Sequence, residues 1–90
     1  MELSEIRKKI DALDADLVRI FLERMQVCAD VAAFKKENGL PVLDAAREQK
    51  KLEAILSAAP EQMKPYLKAL YEQIFTLSRH YQTGLLEDPE

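Results

Sequence analysis

The stretch LVRIFLERMQVCADVAAFKK, residues 17–36, reads as the middle of a long amphipathic helix. Extended in both directions, its apolar positions recur in alternating steps of three and four. The stripe is Leu3, Ile6, Ile10, Leu13, Leu17, Ile20, position 24, Val27, Val31 and Phe34. That is a heptad seam. Position 24 is an arginine, set where a core residue belongs. An unpaired guanidinium is expensive to bury, so Arg24 taken alone reads as a member of a buried ion pair or as snorkelling at the end of the core, and only its neighbours point to a ligand.

Working outward, the first helix is expected over residues 3–36, with Ser4 as its N-cap. Asn38-Gly39 offers a left-handed cap and Pro41 blocks continuation. A second helix is expected over 44–59, capped by Asp44, with Leu52, Ile55, Leu56 and Ala59 on one face. The third is expected over 61–85, with the stripe Met63, Leu67, Leu70, Ile74, Leu77 and Tyr81, and with Pro65 fraying or kinking its start. Residues 86–90 read as a loose polar tail. The fold class is therefore all-α, three helices in a single domain over residues 1–90. No stretch has convincing strand character.

The chain has 90 residues, 48% of them hydrophobic, with two glycines, one cysteine and a formal net charge of -3. The composition is that of a globular chain. The acidic balance argues against a nucleic-acid partner. The apolar runs are too short to span a membrane. One unpaired cysteine and no secretory leader point to a reducing compartment, and cytoplasmic location is expected.

A helix of 34 residues is about 50 Å long. A compact chain of this length has a radius of gyration near 12 Å. Two shorter helices cannot wrap so long a seam. A second copy, with the long helices antiparallel in an intertwined homodimer, is the economical solution.

Lys35 lies eleven residues after Arg24, about three turns on and about 20° off in azimuth. The two cations share a face roughly 16 Å apart along the axis. Glu23 and Asp30 point elsewhere, whereas Asp16 or another helix is able to pair with Arg24. Arg7 lies about 25 Å from Arg24 on the same helix and reaches that face only across an antiparallel dimer. Asp44, Arg47 and Glu48 cluster at the start of the second helix, and Ser78 and Gln82 are an i, i+4 pair on the third. Taken singly, each has an ordinary explanation as a cap, a first-turn acid or a solvated face. His80 has no nucleophile or carboxylate that spacing assigns to it and reads as a surface residue. Cys28, one turn after Arg24, reads as a small packing residue bordering the same face. No metal-ligand spacing or glycine-rich phosphate loop is present, so neither metal nor cofactor is expected.

In order along the chain stand IRKKIDALD (6–14), LERM (22–25), VAAFK (31–35), GLPVLDAARE (39–48) and SRHYQ (78–82). Together they resemble the all-helical, intertwined-dimer class of chorismate mutases, from about residue 3 to 85. The resemblance implies that the substrate is chorismate. It implies that Arg7 grips a substrate carboxylate from the neighbouring subunit, and that Arg24 binds a carboxylate within its own chain. Lys35 would reach a carboxylate and the ether oxygen, and Gln82 would be the second donor to that oxygen. Arg47 and Glu48 would lie near the ring hydroxyl, with Glu48 accepting its hydrogen bond. Asp44 would contribute at least its backbone, and Ser78 would contact a carboxylate. Ala45 and Leu40 depart from the family pattern outside these contacts. Two alternatives stay open on the sequence: an isochorismate pyruvate lyase on the same scaffold, and a non-enzymatic helical dimerisation module.

Overall fold

The computed structural model describes residues 1–86, so the tail residues 87–90 lie outside it. It contains α1 (Leu3–Glu37), α2 (Ala45–Ser57), one 3-10 turn at Glu61–Met63 and α3 (Lys64–Leu86). The described residues contain no strand. The all-α expectation holds, with shifted boundaries. Glu2, not Ser4, is the N-cap of α1, and no side chain caps that end. Ser4 is already inside the first turn. The second helix stops at Ser57, short of Ala59, because Pro60 disfavours helical backbone before it. Pro65 stands at the irregular start of the third helix. The 3-10 turn absorbs residues 61–63 and α3 starts at Lys64, which puts Pro65 in its first turn, where its missing N–H has no partner to lose.

The turn after α1 is built as its sequence predicts. Gly39 adopts φ 62°. Its N–H donates to the Lys36 carbonyl at 3.4 Å, and Leu40 N–H donates to the Lys35 carbonyl at 2.9 Å. This Schellman pair satisfies carbonyls that the helix end leaves open. It also folds residues 40–44 back toward Lys35.

α3 is the middle element, packed on α1 along one side and on α2 along another. The buried positions are few: Cys28 and Ala32 of α1, and Phe75, Ser78 and Gln82 of α3. Tyr71 meets Phe75 edge-on, with ring centroids 5.8 Å apart. These positions are offset from the two apolar stripes. Small residues at 28, 29 and 32 let α3 approach α1 closely. The stripe of α1 itself remains outside: Leu13 is 67% exposed, Val27 59% and Phe34 60%. The stripe expected for the third helix is divided: Met63, Leu70, Leu77 and Tyr81 are exposed, while Leu67 and Ile74 are half-buried.

The shape is elongated, 55 × 30 × 15 Å, with a radius of gyration of 16.6 Å. A compact chain of this length has a radius of gyration near 12 Å. The accessible surface is 7278 Å². A folded monomer of this mass exposes about 5,400 Å².

Candidate active site

The C-terminal half of α1, the start of α2 and the C-terminal half of α3 enclose a half-open cavity of about 340 Å³. That size suits a small ligand. Arg24 and Lys35 line it from α1, Asp44, Arg47 and Glu48 from α2, and Ser78 and Gln82 from α3. Every candidate residue from the sequence reaches this cavity except Arg7. Arg7 is exposed on the other half of α1.

Arg24 Nη1 donates to Ser78 Oγ at 2.8 Å and lies 3.7 Å from Cys28 Sγ. Cys28 Sγ and Ser78 Oγ are 3.4 Å apart. The guanidinium is thus half-buried against neutral groups. Among the described residues no carboxylate pairs with it. Asp16, the acid that the sequence left open, lies 3.9 Å from Arg19 instead. Arg24 therefore keeps most of its donors available. Lys35 Nζ donates to the Val42 carbonyl at 2.6 Å, which ties the residue 40–44 turn to the cavity wall.

Asp44 caps α2 as expected: its Oδ1 accepts from Arg47 N–H at 3.0 Å. The cap fixes the first turn of α2, so Arg47 and Glu48 enter the cavity from a rigid element. Gln82 is buried, and its Oε1 has no hydrogen-bond partner within the chain. An orphaned acceptor of that kind costs about 1–3 kcal/mol and marks a group that a ligand or another chain can satisfy.

Two lining residues escape a reading by motif: Lys51 and Arg79. Lys51 follows Arg47 by four and Glu48 by three, hence shares their face of α2. Arg79 follows Ser78 directly and ion-pairs with Glu48 through Nη1 and Oε1. The periodicity of α2 signals the first. The second needed the packing of α2 on α3. In total the cavity carries five cations against two carboxylates, with an apolar floor that includes Val27, Val31 and Phe75. Such a site attracts a small, partly apolar polyanion. Cys28 borders it, whereas His80 is exposed beside a separate apolar groove formed with Phe21, Met25 and Leu85. No group of metal-ligating side chains occurs among the described residues. None of their helices is long and apolar enough to cross a membrane.

Comparison with known proteins places the chain in a family. The family model for Chorismate mutase type II matches residues 6–83. A chorismate mutase of Methanocaldococcus jannaschii is 42% identical over 48 residues, 53% of this chain and 48% of that protein. A monofunctional chorismate mutase of Enterobacter agglomerans is 34% identical over 74 residues, 76% of this chain and 41% of that protein. A bifunctional chorismate mutase/prephenate dehydratase of Aquifex aeolicus is 34% identical over 55 residues, 61% of this chain and 15% of that protein. The chain spans less than half the length of these curated relatives. No solved structure matches significantly. With residues 6–83 of its 90 inside the family match, this chain belongs to the chorismate mutase type II family.

Proposed function

We propose that the chain catalyses the Claisen rearrangement of chorismate to prephenate, as an intertwined antiparallel homodimer. The observation that carries this reading is the convergence of Arg24, Lys35, Arg47, Glu48, Ser78 and Gln82 on one cavity with a cation excess. Family membership supports it independently.

The reaction is unimolecular. It needs no nucleophile and no proton transfer, so the protein must hold a dicarboxylate in its compact reactive conformer and stabilise charge on the breaking ether oxygen. Arginines suit the clamp because they bind carboxylates bidentately and stay charged. Arg24, with Ser78 beside it, takes one carboxylate. Lys35 and Gln82 donate to the ether oxygen. Arg47 lies near the ring hydroxyl and Glu48 accepts its hydrogen bond. Asp44 holds the start of α2 and contributes its backbone. A rate gain of about 10⁶ requires about 8 kcal/mol of transition-state stabilisation. Two preorganised donors at about 2.7–4 kcal/mol each, together with conformer selection, reach that range.

The dimer rests on surface area and on Arg7. The chain exposes roughly 1,900 Å² more than a folded monomer of its mass should. Covering that on two chains falls within the range of obligate homodimers. Antiparallel pairing of α1 also brings Arg7 of the partner subunit alongside Arg24, where it grips the second carboxylate.

The test is incubation of the purified chain with chorismate and, separately, with isochorismate, followed by product identification. Prephenate from chorismate is expected. Salicylate and pyruvate from isochorismate alone would reassign the chain to the lyase reaction. Failure to consume either substrate, with the fold intact, would leave only the dimerisation module.

A further inference from the structure

A dicarboxylate with one ether oxygen and one hydroxyl does not account for Arg79. This residue projects from α3 into the cavity wall, between Ser78 and Gln82 in sequence. Its Nη1 donates to Glu48 Oε1 across the gap between α2 and α3, and its Nη2 reaches Thr76 Oγ1 at 3.4 Å. The two side chains of the ion pair are 33% and 24% exposed. The pair is sheltered enough to be more than a surface contact.

Glu48 stands in a crowd of cations. Arg47 precedes it, Lys51 follows one turn later, and Arg24 and Lys35 face the same space. A glutamate with free rotamers in such a place will neutralise one of the cations that the substrate needs. Arg79 prevents this by holding one carboxylate oxygen from outside the clamp. A carboxylate has lone pairs enough to accept from Arg79 and from a ligand hydroxyl together.

We infer that Arg79 is a positioning residue, which holds the Glu48 carboxylate so that its other oxygen accepts the substrate's ring hydroxyl. This rests on the mutase reading and on the role given there to Glu48. Beyond its share in the cavity's positive charge, Arg79 then acts on catalysis through that hydroxyl, which takes no part in the bond changes.

That restriction supplies the test. Steady-state kinetics are measured on chorismate and on the analogue in which hydrogen replaces the ring hydroxyl. The variants are Arg79→Met, Arg79→Lys, Glu48→Gln and the Arg79→Met/Glu48→Gln double variant, each checked for helical content and dimer mass. For chorismate, Arg79→Met should lower kcat/KM by roughly 10–100-fold, and Arg79→Lys should recover part of it. For the analogue Arg79→Lys should match the wild type, and Arg79→Met should show only the small loss that removing one of the cavity's cations imposes on either substrate. The double variant should be no worse on chorismate than Glu48→Gln alone. Equal losses on the two substrates in Arg79→Met, while Glu48→Gln loses only on chorismate, overturn the inference and leave the Glu48 assignment standing. Equal losses in Glu48→Gln itself bring down the assignment and the inference with it.

Discussion

The two halves of α1 carry one continuous apolar stripe and have different fates. Residues 3–20 are exposed without exception. Residues 21–37 contain both buried positions of the helix, Cys28 and Ala32, and half-buried Phe21, Arg24, Met25, Ala29 and Lys35. Both halves have large apolar residues at heptad spacing. The second half clusters Cys28, Ala29 and Ala32 beside the stripe, and α3 packs there, whereas the first half has Ser4, Ala12 and Ala15 spread along it and exposed. A stripe of large side chains therefore marks a surface to be covered, while small neighbours mark the surface that the same chain covers. In the proposed dimer the first half serves the partner and the second half serves the site.

The strongest way to break this comparison is to charge the first half. Leu13→Asp with Leu17→Asp would place two carboxylates in the proposed seam, where each unpaired charge costs several kcal/mol. We expect loss of the dimer and of all turnover, read by light scattering and a chorismate assay. A variant that kept its native mass and activity would mean that the first half is simply solvated. The next effect in size lies in the second half. Lys35→Ala should lower kcat by about 10²–10³-fold with the dimer intact, the usual loss of a preorganised oxyanion donor. Wild-type turnover there would remove Lys35 from the ether oxygen.

Mixing sharpens the contrast. Arg7→Ala should also be impaired, through the other half of the helix. Unfolded together and refolded one to one with Lys35→Ala, it should regain about a quarter of the wild-type sites, because half the dimers are mixed and each has one intact site. No recovery on mixing would place both residues in one chain's site. A smaller effect, opposite in sign for stability, is expected at Arg24. Arg24→Leu completes the apolar stripe and should hold or raise the dimer's Tm while weakening substrate binding by about 10²-fold. Loss of stability would show Arg24 to be structural. The smallest effect is at the junction with α2. Gly39→Ala should cost about 1–2 kcal/mol, because its φ of 62° is strained for any side chain. An unchanged Tm would mean that the turn relaxes.

Most of the fold was legible because its signals are local. The heptad spacing, the Asn38-Gly39 stop and the Asp44 cap each act within a few residues, and each stands where expected. Ser4 misled because helix-forming sequence continues to Leu3, which leaves Glu2 as the cap. The site residues were legible as types at spacings. Their convergence on one cavity required α3 to sit between α1 and α2. Arg79 stands inside a recognised motif, yet its partner Glu48 is 31 residues away on another helix. No periodicity within α3 announces that pairing.

The sequence by itself determined three helices, their breaks and a cationic set suited to a small dianion, because capping, period and charge are properties of neighbours along the chain. Tertiary structure alone decided which face of α1 turns inward. Two adjacent faces were both apolar enough to bury, and the choice fell to how closely backbones approach: α3 lies against Cys28 and Ala32, and the large side chains of the stripe are left outward. Arg24, beside that line of contact, is half-buried at the edge of the cavity instead of in a seam.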